Sequence, residues 1–257
     1  MGKILGALLV SLLTLSLAAL PVAPSGAQST AETAKAATSD PVWRLVVNDQ
    51  FKSGGFPQHW LRYDGRYGSG AENCARPDHA FVKDGKMRMV LRYRTAGKCG
   101  RGWYSAGMML AKDYEAIDQK ISIRFRVELV RGITGHRILP MRWPSSDEWR
   151  TKGEEDLCES SLLDGCATFL HGVDGRVDRE YKVNQARWHT YTFARRNYTV
   201  RTWIDGKRRW VYRGNKMTLP PTLKRPVLQQ ECRLSCPRGR VGREVILIDW
   251  IKIWNPR

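Results

Sequence analysis

The chain has 257 residues, of which 42% are hydrophobic and 26% are charged. This is the composition of a globular protein that can bury a core, and it argues against the membrane, collagen-like, coiled-coil and disordered classes. Lys and Arg number 43 against 25 Asp and Glu, and the resulting formal charge of +18 favours anionic polymers or surfaces as partners.

The first 27 residues have the pattern of a secretory signal peptide. Lys3 supplies a positive start, residues 4–20 form an apolar run, and residues 25–27 (Ser-Gly-Ala) suit a cleavage site. The run is short for a membrane span and ends at Pro21, which disfavours an anchor. We therefore expect a secreted, extracellular protein with no stable membrane anchor. Cleavage would remove one Lys and no acid, leaving a mature charge of +17.

The mature chain divides into a leader and one domain. Residues 28–40, rich in Ala, Thr and Ser, predict a flexible leader. Residues 41–257 contain no Pro- or Ser-rich linker and no internal repeat, which indicates a single domain. Apolar residues in this domain recur with a period of two, most clearly over residues 121–129. Because no amphipathic helix follows residue 40, the pattern predicts an all-β sandwich or jelly roll.

Two dipeptides predict the tips of β-hairpins within this domain. Asp84-Gly85 and Asp205-Gly206 each separate two stretches of strand-like alternation. Asp-Gly favours the tight two-residue turns that join antiparallel strands.

Six cysteines follow the leader, and an even number in a secreted chain favours disulfides. Six cysteines allow fifteen pairings, and the sequence alone does not select one. The spacing favours three local pairs, namely Cys74 with Cys99, Cys158 with Cys166, and Cys232 with Cys236. The alternative is a zinc site, but no second close pair lies at zinc-finger spacing.

Acidic side chains are concentrated over residues 154–159 of an otherwise basic chain. In a strand, Glu154 and Asp156 share one face, whereas Glu159 points to the other. One bulge between Asp156 and Glu159 would bring all three carboxylates to one wall of a cleft. Such neighbours push each other's protonation apart, which suits a retaining glycosidase with two carboxyl groups about 5–5.5 Å apart. The alternative is a solvated acidic strand or a calcium-binding edge.

The segment Gly-Glu-Glu-Asp-Leu-Cys-Glu at residues 153–159 resembles the Glu-x-Asp-x-x-Glu signature of glycoside hydrolase family 16. Further segments resemble that family's strands in the same order, namely 142–144 with Trp149, 168–172, 188–192, 203–206 and 249–254. The resemblance covers the chain from about residue 43 to the end. It implies a curved β-sandwich jelly roll of the concanavalin A-like lectin and glucanase type.

The resemblance also implies an activity and its catalytic residues. Glu154 is the expected nucleophile, Asp156 the residue that tunes it, and Glu159 the general acid and base. The implied protein is a secreted, endo-acting, retaining glycoside hydrolase that cleaves a β-linked polysaccharide, either a β-glucan or a galactan. Glu155 departs from the family, which commonly has an apolar residue facing the layer between the sheets. A carboxylate there needs a basic or hydrogen-bonding partner.

Other residues are candidates for substrate or metal binding. Trp143 and Trp149 are candidates for stacking on sugar rings, and core packing is the alternative for each. His171 is a candidate partner of a catalytic carboxylate, or else a satisfied core histidine. Asp249 matches a position that helps to hold a structural calcium in some relatives, although one acid is little for an ion that takes six or more oxygens. We expect no other cofactor.

Two other functions compete with the hydrolase. One is a lectin-like protein of the same fold that binds polysaccharide without cleaving it, and the other is a basic protein that binds polyanions or cell walls. The three carboxylates favour the enzyme, because binding alone gives no reason to crowd them. The expected partner is a polysaccharide, including an anionic or cell-wall-associated one. Nucleic acid is not expected as a partner, and the protein is expected to be a monomer.

Overall fold

The structure, a computed structural model, describes residues 43–52, 54–66, 74–130, 133, 135–232 and 242–257. The expected signal peptide and leader lie outside these residues. Among the described residues, no helix has the length and apolar character needed to cross a membrane. Their helices are α1 (Trp149–Lys152) and two 3-10 turns at Pro77–His79 and Lys112–Tyr114.

Strands dominate the described part of the chain, as the period-two pattern predicted. In chain order they are β1 (Trp43–Asp49), β2 (Trp60–Arg62), β3 (Gly65–Arg66), β4 (Cys74–Ala75), β5 (Ala80–Lys83), β6 (Lys86–Arg94), β7 (Gly102–Ser105), β8 (Gly107–Leu110), β9 (Gln119–Val130), β10 (His136–Pro144), β11 (Glu154–Ser160), β12 (Gly165–Gly172), β13 (Gly175–Lys182), β14 (His189–Arg196), β15 (Thr199–Ile204), β16 (Lys207–Arg213), β17 (Lys224–Glu231) and β18 (Arg243–Pro256).

The described strands form two sheets that make a jelly-roll sandwich. The larger sheet has eleven strands, with β16-β15-β14-β9-β18-β6-β7-β4-β3 in order, β1 paired with β18, and β5 paired with β6. The smaller sheet has seven strands in the order β13-β12-β11-β10-β17-β8-β2. Strands that are distant in sequence are therefore neighbours, and the segment with the acidic signature lies inside the smaller sheet. The all-β prediction is confirmed.

The core lies between the two sheets. Strand β9 alternates as predicted, so that Ile121, Ile123 and Phe125 point into this layer and are buried. Leu139 of β10 and Leu157 of β11 belong to the same hydrophobic cluster and come from the other sheet. Burying each such side chain contributes about 1.5–3 kcal/mol, so this layer is the main force that holds the sheets together.

Both predicted hairpin tips are confirmed. Asp84-Gly85 joins β5 to β6, and Asp205-Gly206 joins β15 to β16. All four residues have positive φ, between 51° and 75°. Positive φ at both central residues is the conformation that two-residue hairpins require, and it explains the Asp-Gly pairs.

The structure contains the first two of the three predicted disulfides. Cys74 is joined to Cys99, and Cys158 is joined to Cys166, with Cα atoms 6.2 Å and 5.2 Å apart. The second bond connects β11 to β12 directly beside the acidic segment. Cys236 lies outside the described residues, so the third pair stays a prediction.

Candidate active site

Gly153 sets the direction in which the chain enters β11. It follows α1 with a φ of 73° and a ψ of 157°, a backbone conformation that residues other than glycine rarely adopt. A Cβ at this position would lie 2.7 Å from the backbone oxygen of His171 in β12. The close approach places Glu154, the next residue, directly opposite His171 in the strand pair.

Strand β11 contains the irregularity that the sequence predicted. Between Asp156 and Glu159, three steps along β11 match two steps along β12. The two intervening residues, Leu157 and Cys158, are both buried in the core. Because the bulge restores the face, Glu154 and Glu159 line the same cleft. Asp156 is fully buried beside them.

The cleft has a volume of about 820 Å³ and gathers five of the six candidate catalytic and sugar-binding residues. These are Trp143, Trp149, Glu154, Glu159 and His171. The sixth candidate, Asp156, lies behind the surface of the cleft, and Nε2 of His171 is 3.5 Å from its Oδ2. The structure therefore brings together residues that are spread over four segments of the sequence.

The cleft is acidic although the chain is strongly basic. Its acidic lining residues are Asp64, Asp147, Glu154, Glu159 and Glu231, and its arginines are Arg66 and Arg176. Excess negative charge repels polymers of the same sign. The cleft therefore suits an uncharged polymer, and the excess positive charge of the protein lies outside the cleft.

Glu154 and Asp156 form a coupled pair of carboxyl groups. Burial and the neighbouring Asp156 raise the pKa of Glu154 well above its usual range, and His171 acts in the opposite direction. A hydrogen bond between the two carboxyl groups adds to the effect. Two carboxyl groups in contact, one buried and one half-buried, resist simultaneous ionisation, so the pair retains one proton near neutral pH.

His136, which the sequence analysis did not single out, contacts Glu159. Its Nε2 lies 2.8 Å from Oε1 of Glu159, and its Nδ1 lies 2.8 Å from the hydroxyl of Ser161. The histidine is the first residue of β10 and is buried. Its position there restricts the orientation of the Glu159 carboxylate.

Neither cleft tryptophan is fully buried, although Trp143 packs against the hydrophobic cluster of Ile138, Met141 and Val227. Trp149 is 39% exposed, and its ring meets the ring of His171 edge-on with centroids 6.1 Å apart. Trp143 is half-buried, and its Nε1 donates a hydrogen bond of 2.8 Å to Asp147. Both residues line the cleft.

Glu155 points away from the cleft into the layer between the sheets, where it has the basic partners that the sequence required. Its carboxylate contacts Arg142 of β10 and Arg195 of β14, and Lys224 lies 3.5 Å away. All four side chains are buried. Burial alone would raise the pKa of Glu155, but the three cations outweigh it and lower the value to about 2.

The residues around Asp249 do not fit a calcium site. Oδ1 of Asp249 lies 2.8 Å from Nζ of Lys86, and Oδ2 lies 2.6 Å from Nη1 of Arg124. Both carboxylate oxygens are therefore already paired with cationic side chains, which occupy the positions that a metal ion would need. Ligand atoms of Asp156, Glu159 and His171 lie within 4.8 Å of one another, but these groups belong to the cleft described above.

The fold and the site together define a jelly-roll protein with a carboxylate-bearing cleft in its smaller sheet. The catalytic domain of an endo-1,3-β-glucanase (laminarinase) from Thermotoga petrophila RKU-1 has a similar structure, with a TM-score of 0.72 and 18% identity over 85% of this chain and all of its own. The endo-β-1,3-glucanase from Pyrococcus furiosus is also similar, with a TM-score of 0.68 and 14% identity over 84% of this chain and 95% of its own.

A third similar structure is SCLam, a non-specific endo-β-1,3(4)-glucanase from family GH16. Its TM-score is 0.68, with 16% identity over 85% of this chain and 95% of its own. No protein-family model and no curated protein sequence matches the chain. The chain has the jelly-roll fold of the family 16 glucanases, as the resemblance at residues 153–159 predicted.

Proposed function

We propose that the protein is a secreted, endo-acting, retaining glycoside hydrolase that cleaves a neutral β-linked glucan. The observation that carries the proposal is the bulge in β11, which places Glu154 and Glu159 in one cleft with Asp156 beside them. The structurally similar proteins include endo-1,3-β-glucanases, which favours β-1,3-glucan over galactan. The acidic lining supports a substrate without negative charge.

In the first step, the Glu154 carboxylate attacks the anomeric carbon, and the bond from this carbon to the glycosidic oxygen breaks. Glu159 gives its proton to the departing oxygen. The coupled pair shares one proton, and Glu154 attacks in the state in which Asp156 holds that proton and Glu154 is ionised. The product is a covalent glycosyl-enzyme and a glucan with a new end.

In the second step, water attacks the anomeric carbon and the bond to Glu154 breaks. Glu159, now ionised, takes the proton of the water and returns to its first state. Two inversions give net retention of configuration. The faces of Trp143 and Trp149 are proposed to stack on sugar rings and to hold the chain along the cleft.

The decisive test replaces Glu154 with Ala and supplies azide. We expect the variant to lose hydrolysis of laminarin, and we expect azide to restore turnover of an activated aryl glycoside with inverted configuration. A small anion fits the space that the carboxylate left. Glu148→Ala, at an exposed position before α1, is the matched control and should retain activity. Near-normal hydrolysis by Glu154→Ala would contradict the assignment.

Glu159→Ala separates the acid from the nucleophile. It should lose most activity on laminarin and retain more on aryl glycosides whose leaving groups need no proton. If wild-type protein bound glucans but released no reducing ends from laminarin, mixed-linkage glucan or galactan, the lectin-like function would replace the hydrolase.

Secretion is part of the same proposal. The pattern of residues 1–27 supports it, and so do the two disulfides, because such bonds persist mainly outside the reducing cytoplasm. Recovery of the protein from the culture medium with its N-terminus near residue 28 would test it, and retention of the uncleaved chain in the cell would contradict it.

A further inference from the structure

The outer face of the larger sheet carries a second surface suited to a polymer. Strands β9, β14, β15 and β18 alternate, so that one set of side chains enters the core and the other points away from it. The outward set includes three half-buried tryptophans and a run of small residues between them. We call this surface the outer trough, with walls of Trp203, Trp250 and Trp254 and a floor of Ser122, Thr192 and Ala194.

The strand register fixes the shape of the outer trough. Thr192 lies opposite Trp203 on one side and Ser122 on the other, and the two floor hydroxyls are 2.7 Å apart. Trp250 and Trp254 lie on β18, beyond β9. Three strand spacings separate Trp203 from β18, which is roughly 14 Å. The floor is therefore wide enough for one extended sugar chain between aromatic walls.

A lysine lies over one face of each of two wall tryptophans. Nζ of Lys120 lies 5.0 Å from the ring centroid of Trp254, and Nζ of Lys252 lies 5.3 Å from that of Trp250. Arg201 points outward beside the floor. Within the described part of the chain, these three cations form no ion pair with an acid, in contrast to Arg124, which is neutralised by Asp249.

We propose that the outer trough binds an anionic polysaccharide independently of the cleft. Tryptophan faces stack on the apolar faces of sugar rings, and the adjacent cations meet carboxylate or sulfate groups on the same rings. The acidic cleft cannot serve this role, since it would repel such a polymer. The basic trough would hold the protein on an acidic matrix while the acidic cleft acts on neutral glucan.

The test measures binding to polygalacturonate by affinity gel electrophoresis and titration calorimetry at low and physiological salt. The trough variant K120Q/R201Q/K252Q should bind about tenfold more weakly than wild type. The matched control K112Q/R179Q/K182Q removes the same charge at exposed positions outside the larger sheet and should bind within about twofold of wild type. Thermal melts by circular dichroism check that each variant is folded.

A second pair of variants tests the aromatic walls. Trp203→Ala and Trp254→Ala should weaken binding to polygalacturonate and leave binding to inorganic polyphosphate unchanged, because polyphosphate has no sugar rings to stack. Equal losses in the trough and control triple variants would overturn the proposal, and so would unchanged binding in both tryptophan variants. Tighter, tryptophan-dependent binding of a single-stranded oligonucleotide would overturn it in favour of a nucleic-acid site.

The outcome is separable from the hydrolase proposal. Hydrolysis of neutral laminarin oligosaccharides should be the same in the trough variant and wild type, because the trough lies on β9, β14, β15 and β18, and none of these strands contributes a residue to the lining of the cleft. Loss of this hydrolysis in the folded trough variant would overturn the independence of the two sites. Binding to polygalacturonate is measured without any cleavage, so failure of the hydrolase proposal would leave this test intact.

Discussion

Nε2 of His136 lies 2.8 Å from Oε1 of Glu159, and this contact joins the first residue of β10 to the last carboxylate of the acidic signature. The other ring nitrogen contacts the hydroxyl of Ser161, so the imidazole is held from both sides. The ring therefore restricts the carboxylate that we propose as acid and base. His136 is a positioning residue, since it acts through Glu159.

Replacing His136 with Ala should lower kcat/KM on laminarin by about 10–100-fold, because a small displacement of the acid costs about this much. The loss should be much smaller on an aryl glycoside with a good leaving group, which needs no protonation in the first step. Ser161→Ala removes only the outer support and should have an intermediate effect. Equal losses on both substrates would indicate a general structural defect instead of misplacement of the acid.

The coupled carboxyl pair makes a prediction for pH dependence. Asp156 raises the pKa of Glu154, so Asp156→Asn should lower that pKa and let the nucleophile ionise at lower pH. The acidic limb of the kcat/KM profile should therefore move to lower pH. Asp147→Asn is the control, because Asp147 also lines the cleft but contacts Trp143. An acidic limb that stayed in place or moved upward in Asp156→Asn would contradict the coupling.

Short-range features of this protein follow from its sequence. The alternation along β9, the Asp-Gly hairpin tips and the bulge between Asp156 and Glu159 depend on residues close together in the chain, and all are present. The Cys158–Cys166 bond is equally local. In each case, the period of a strand or the geometry of a turn determines the result.

Contacts between distant strands could not be predicted in the same way. His136 meets Glu159 only because β10 pairs with β11 in one register, and nothing in the spacing of the residues specifies that register. Arg195 reaches Glu155 from the opposite sheet. Lys120 and Trp254 are neighbours because β9 pairs with β18. Such pairings depend on the order and register of strands in the whole sandwich, and a local sequence pattern does not specify them.

The buried position of Glu155 predicts a large effect on stability. Glu155→Gln leaves Arg142 and Arg195 buried without a compensating carboxylate, and breaking a buried ion pair typically costs about 3–5 kcal/mol. Urea unfolding at neutral pH should show this loss in the free energy of unfolding. Glu148→Gln, at an exposed position, should change it by less than about 0.5 kcal/mol. A small loss in Glu155→Gln would show that the cluster does not stabilise the fold.

The same residue predicts how stability depends on acid. The pKa of Glu155 is about 2 in the folded protein against an ordinary value of 4.5, so its ionised form stabilises the fold above about pH 4.5. This contribution is lost as the pH falls from about 5 towards 2. Glu155→Gln lacks the titrating group, and its deficit relative to wild type should narrow over that range. A constant deficit between pH 5 and 2 would contradict the depressed pKa.

Gly153 offers a test of how the entry into β11 positions the nucleophile. Gly153→Ala adds a Cβ that would lie 2.7 Å from the backbone oxygen of His171, at a residue whose φ is 73°. Gly153 also has a ψ of 157°, and this backbone conformation alone costs roughly 1–3 kcal/mol for a residue with a side chain. The steric overlap should also separate β11 from β12 locally and displace Glu154.

Gly85→Ala is the matched control for this variant. Gly85 has a φ of 68°, and nothing lies within 4 Å of the position its Cβ would occupy, so the substitution introduces the backbone strain without the overlap. Both variants should lose stability in urea unfolding, and Gly153→Ala should lose more. Only Gly153→Ala should lose kcat/KM on laminarin, by about 10-fold or more, because only there does the strain reach the nucleophile. Equal activity in the two variants would show that β11 tolerates the displacement and that Gly153 serves only the turn.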